Sequence, residues 1–206
     1  MKTLFHRLRQ FLLALVVGLF GLLWVAPALA DAGRFLTSES YAELQASLEQ
    51  TSDPQRLAEL QQLQAAIASS DDRAQLSNRS SHNLGIFARY KKDPATTPAR
   101  FYVLGPGHET DDDYEPVGLL VPPEVSLSWS DSGEVSAAAA PRVLRVLEGE
   151  QLELTDAAPE AEAPDAVAYQ LSLPAYSVET GLPSIAALPA LNQNQLDQEP
   201  ETAPLD

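Results

Sequence analysis

At Asn83 the apolar residues of this 206-residue chain change from helical spacing to alternation, and that change sets the fold class. Upstream, Tyr41, Leu44 and Leu48 recur at intervals of three and four, as do Leu57, Leu60, Leu63 and Ile67. Such spacing gathers apolar side chains on one side of a helix. Downstream, Leu84, Ile86, Ala88 and Tyr90 alternate with other residues, which places them on one face of a strand.

The upstream block predicts two amphipathic helices within residues 31–80, forming a helical hairpin. Ser40 and Glu43 have capping-box spacing, with Thr37 and Ser38 as alternative caps, and Thr51-Ser52-Asp53-Pro54 supplies the break before the second helix. The downstream block, residues 81–182, predicts six or seven short strands in the same domain. Besides 84–90 these are 101–104, 117–121, 125–129, 143–147, 151–154 and 167–173, with Glu148-Gly149-Glu150 as a hairpin turn. Their close spacing leaves no room for crossover helices between sequential parallel strands. The expected fold is therefore α+β, a helical hairpin packed on a small, mainly antiparallel sheet. Ala157 to Asp165, rich in Pro, Ala and acid, is expected as an exposed loop, and residues 183–206 as a disordered acidic tail.

Residues 1–30 have the three parts of an export signal. Lys2, Arg7 and Arg9 precede an apolar run from Phe11 to Val25, Pro27 ends it, and Ala28 and Ala30 stand three and one before the expected cut. The alternative is an uncleaved anchor over residues 11–30. Cleavage leaves a soluble chain starting at Asp31, without membrane insertion, in the periplasm or outside the cell, or in a thylakoid lumen where the source has one. With no cysteine, the chain has no disulfide, thiol nucleophile, zinc–thiolate site or lipoprotein anchor.

The leader holds three of the 13 cations and none of the 29 acids, so the mature chain sets ten cations against 29 acids. A balance so acidic repels nucleic acid and anionic lipid. The cations are concentrated: residues 73–100 hold six, with Asp93 as the single acid. This basic strip continues into aromatic residues, so Arg89, Tyr90, Lys91, Lys92, Arg100, Phe101 and Tyr102 are the candidate partner-binding residues. Pairing of 84–90 with 101–104 would gather them at one end of a hairpin, suited to an anionic ligand or an acidic protein surface. Compensation by the protein's own acids is the competing reading.

Sites for chemistry are sparse. Ser80-Ser81-His82 puts hydroxyls near an imidazole, but no Gly-x-Ser-x-Gly elbow is present. His108 to Glu115, directly after Gly105-Pro106-Gly107, collects oxygen ligands for calcium or magnesium, yet Asp111, Asp112 and Asp113 are contiguous where an EF-hand alternates its acids. Asn78-Arg79-Ser80 matches a glycosylation acceptor. The residues that define a known family do not appear. The sequence therefore assigns no catalytic residue, no cofactor and no metal ligand, and leaves the oligomeric state open. It favours a non-catalytic accessory protein that binds a protein partner, with a divalent-cation-dependent hydrolase or sugar-acting enzyme using residues 108–115 as the alternative.

Overall fold

The computed structural model describes residues 35–70, 72–92, 98–129, 133–135, 137–157, 167–181 and 187–204. The leader with Ala28 and Ala30, and residues 158–165 of the Pro/Ala/acid loop, lie outside the described residues.

Helices α1 (Glu39–Gln50) and α2 (Pro54–Ala68) form where the three-and-four spacing predicts them. Ser38, rather than Ser40, caps α1 by accepting the Tyr41 N–H at 3.1 Å, and Asp53 caps α2 ahead of Pro54. The two helices meet through Gln64 and Tyr41, whose hydroxyl accepts from the amide at 3.2 Å.

Ten strands follow among the described residues: β1 (Gln75–Asn78), β2 (Leu84–Tyr90), β3 (Arg100–Leu104), β4 (Tyr114–Val121), β5 (Ser126–Ser128), β6 (Glu134–Val135), β7 (Arg142–Arg145), β8 (Gln151–Asp156), β9 (Ala168–Leu171) and β10 (Val178–Glu179). They make two five-stranded sheets, ordered β1-β8-β9-β5-β6 and β10-β7-β4-β2-β3. The class is α+β, but the single small sheet expected from the sequence is replaced by two. Their facing sides share the main core. Leu76, Leu127, Leu152, Leu154, Tyr169 and Leu171 of the first sheet pack against Leu84, Ile86, Leu104, Leu119, Val121 and Leu144 of the second. Each fully buried leucine of this kind contributes about 1.5–3 kcal/mol.

Three further expectations are corrected. Residues 75–78, placed with the helical segment, form β1, and its partner β8 runs parallel to it, as β9 does to β5. These parallel partners are far apart in sequence, so no crossover helix is needed to join them. The Glu148–Glu150 turn is not a hairpin, because β7 and β8 belong to different sheets and the turn carries the chain between them. Nor do the helices cover a sheet face: their buried side, Leu44, Leu60, Leu63 and Ile67, packs with Phe35, Leu147, Leu173 and Tyr176. Those last three lie in connections, since the inward strand faces are already used by the opposing sheets. Gly149 adopts φ +85°, and a Cβ there would stand 3.0 Å from the Phe35 ring and 3.2 Å from Ile67.

The tail is the largest correction. Instead of a disordered tail, residues 187–204 include a short helix α3 (Gln193–Leu196) with an Asn192 capping box, and they lie against the second sheet with Leu196 and Ala203 buried. No helix among the described residues is long and apolar enough to cross a membrane.

Candidate functional site

The basic strip falls on the β2–β3 pair, whose antiparallel register sets Ala88 opposite Arg100, Phe87 opposite Phe101 and Ile86 opposite Tyr102. On the other side of β2, β4 sets Glu115 opposite Arg89 and Tyr114 opposite Tyr90, with an irregularity between Phe87 and Ala88. Alternation then divides the seven candidates between two faces. Phe101 turns outward from the sandwich, where its ring lies 5.5 Å from that of Phe87 in a cluster with Leu120, Val143 and Leu188. Tyr102 takes the opposite face and meets Tyr114 at 5.9 Å, while Tyr114 meets Tyr90 at 5.4 Å. Three half-buried tyrosines thus form one aromatic patch. Burial raises the Tyr102 hydroxyl above the usual tyrosine range, with neighbouring Tyr114 adding to it.

The four cations have different surroundings. Arg89 bonds Glu115 at 2.8 Å, and that carboxylate is almost fully buried. Lys92 bonds Asp113 at 3.0 Å and lies 5.6 Å from the centre of the Tyr90 ring, and the Asp113 hydrogen bond raises its ammonium above the usual range. Lys91 and Lys92 line an open cleft of about 390 Å³ together with Arg73, Thr110, Asp112 and Asp113. Burial lowers the Lys91 ammonium below its usual range, and the charge of Arg73 adds to that, while Asp112, Glu115 and Asp111 act against it. Arg100 is exposed and makes no ion pair among the described residues.

The acidic loop does not converge. Glu109 approaches Arg79 at 3.6 Å, Asp111 accepts the Asp113 N–H at 2.6 Å, Asp113 faces Lys92 and Glu115 faces Arg89. Among the described residues no three His, Asp or Glu side chains are placed to hold a metal ion. Ser80 and His82 form no nucleophile pair either: the Ser80 hydroxyl donates to Asn78 Oδ1 at 2.7 Å, and His82 Nδ1 lies 2.8 Å from Asp197. Asn78, the sequon residue, is fully buried and its amide donates to the carbonyls of His82 and Leu104. In the folded chain that nitrogen is closed to modification, and its work is to tie the 79–83 loop to the end of β3.

Sequence reasoning left Arg73 and Tyr114 out of the site. In the sequence Arg73 is visible only as one of the six cations of residues 73–100, and Tyr114 only as a member of the acidic run from His108 to Glu115. Their places depend on the pairing of β4 with β2 and on the packing of β1 nearby. No family model, no curated protein and no solved structure matches this chain.

Proposed function

We propose that this chain is an exported, non-catalytic accessory protein that binds an acidic surface of a protein partner, in a bacterial envelope or a thylakoid lumen, through the outer end of the β2–β3 hairpin. One observation carries the reading: in a chain with 29 acids and 13 cations, Lys91, Lys92 and Arg73 gather on one open cleft, and Arg100 stands exposed beside the tyrosine patch with no ion pair among the described residues. Cations so placed complement an anionic partner, and half-buried tyrosines supply rigid apolar contact. Arg89 contributes to the fold of this end rather than to its free charge, since its guanidinium is occupied by Glu115.

The test is a triple reversal, Lys91→Glu, Lys92→Glu and Arg100→Glu, with Arg89 left in place so that Glu115 is not stranded. The expected result is loss of co-migration with the partner on native sizing of the gently extracted mature protein, with an unchanged circular dichroism spectrum. A folded variant that still co-migrates with the partner discards the assignment. The same preparation, read by mass spectrometry, reports whether the mature chain begins at Asp31.

A further inference from the structure

The far end of the same hairpin is crossed by the chain's own C-terminus. Leu188 packs with Phe87 and Phe101 on the outer face, and Ala203 reaches the inter-sheet core, so residues 187–204 wrap the β3 edge as a strap. Two carboxylates clamp it. Asp197 meets His82 Nδ1 at 2.8 Å and accepts the Asn83 N–H at 2.9 Å. Glu201 meets His108 Nδ1 at 2.7 Å and accepts the Gly105 N–H at 2.8 Å. A side chain at Gly105 would stand 3.0 Å from that carboxylate, so the glycine makes room for it.

Beyond the second clamp the strap meets β3 through Thr202 and Ala203. β3 is the edge of its sheet, and Val103 turns away from β2: its N–H donates to Thr202 Oγ1 at 2.9 Å, and its carbonyl accepts from the N–H groups of Thr202 and Ala203 at 3.0 and 2.9 Å. By the two-residue period Phe101 turns its own N–H and C=O to the same side, and among the described residues no hydrogen bond reaches them from the strap. An incompletely paired edge is a template for a further strand. The strap is held by two partly exposed carboxylate pairs, by the Asn83 amide donating to the Leu196 and Glu199 carbonyls at 3.1 Å, by burial of Leu196 and Ala203 and by the bridged Val103, rather than by a strand ladder along β3. Its being tethered adds an effective concentration of order mM.

We infer that the β3 edge is a docking groove for an extended acidic peptide, with the strap as its resident occupant in cis. This rests on the proposed function and deepens it: the partner's acidic surface is an extended segment that displaces the strap and adds to β3. The strap defines the ligand, a carboxylate for His82, a second four residues later for His108, and a backbone able to bridge Val103.

The test uses the mature chain and a fluorescein-labelled synthetic peptide spanning residues 192–204, read by anisotropy. Asp197→Asn with Glu201→Gln opens the strap, which faster amide exchange at Val103 reports independently. The opened chain is expected to bind the peptide at least tenfold more tightly than wild type, and a peptide carrying both substitutions is expected not to bind. Glu201→Gln alone, which leaves the Asp197 contacts intact, serves if the double variant unfolds. Three results overturn the inference: a Val103 amide that stays protected, an opened chain that ignores the peptide, or an opened chain that self-associates by exchanging tails with no peptide bound. Because this readout needs no envelope partner, its failure leaves the Lys91/Lys92/Arg100 test standing. Peptide binding that survives alongside a failed reversal test would instead discard the cationic end.

Discussion

Among the described residues two carboxyl groups are almost wholly removed from water, Glu115 at 3% exposure and Glu150 at 1%, and their surroundings differ. Glu115 lies in β4, directly across from Arg89 in β2, and the guanidinium reaches it at 2.8 Å. Glu150 lies in the turn under the helices, where one oxygen accepts the Leu147 N–H at 2.8 Å and the other has no partner among the described residues. Burial, with no cation beside it among the described residues, pushes its carboxyl up to about 8. The excess of acid in the chain is thus uninformative about which acid is costly. What decides is whether the fold sets one of the few cations in register with it.

The comparison is sharpened most by pH. Glu150 is raised above its ordinary value of 4.5 in the folded chain, so its contribution to stability is fully present below about 4.5 and is lost as pH rises towards about 8. Within that window the group costs about 1.4 kcal/mol per pH unit. Urea denaturation at pH 5 and pH 8 should show the loss in wild type and a flatter profile in Glu150→Gln, which keeps an acceptor for Leu147. Equal pH dependence in the two chains would break the contrast.

Next in size is removal of the cation from the compensated carboxyl. Arg89→Ala leaves Glu115 buried without its hydrogen-bonded cation and should cost about 2 kcal/mol, less than the full penalty for a broken buried pair because the guanidinium is one-third exposed. Adding Glu115→Gln to it should recover most of the loss in chemical denaturation. A double variant no more stable than Arg89→Ala would show that the arginine acts through its packing alone.

The exposed counterparts give the smallest effects. Lys92 and Asp113 are both largely in solvent, so Lys92→Ala should leave the melting temperature unchanged. Excess calcium or magnesium should likewise leave it unchanged, because the acids of 108–115 are turned to separate partners. A rise that grows with ion concentration would instead support a cation site in that loop and reopen the hydrolase alternative.

Legibility followed the range of the interactions. Asp53 and Pro54 start α2 by contacts within one turn, and the Leu60, Leu63 and Ile67 stripe is buried as its spacing implies. The alternation of 84–90 and its pairing with 101–104 were likewise visible in a short window. β1 was not, since Gln75-Leu76-Ser77-Asn78 has a single apolar residue and becomes a strand only beside β8. The strip of cations was legible as composition, but strand alternation and the β4 register then gave Arg89 to Glu115 and brought Tyr114 to Tyr90.

By itself the sequence determined the elements whose cause is local: helices with their caps and apolar stripe, strands with their alternation, an acidic excess and an unusually basic segment. Tertiary structure alone decided that the strands divide into two facing sheets, that Glu115 meets a cation while Glu150 meets none among the described residues, and that a polar tail docks. These depend on which distant segments meet, and the tail shows why periodicity is blind to them. Its apolar contribution is only Leu188, Leu196 and Ala203, while its position is specified by His82, Val103 and His108, residues about a hundred positions away whose groups lie within hydrogen-bond reach once β3 is an edge.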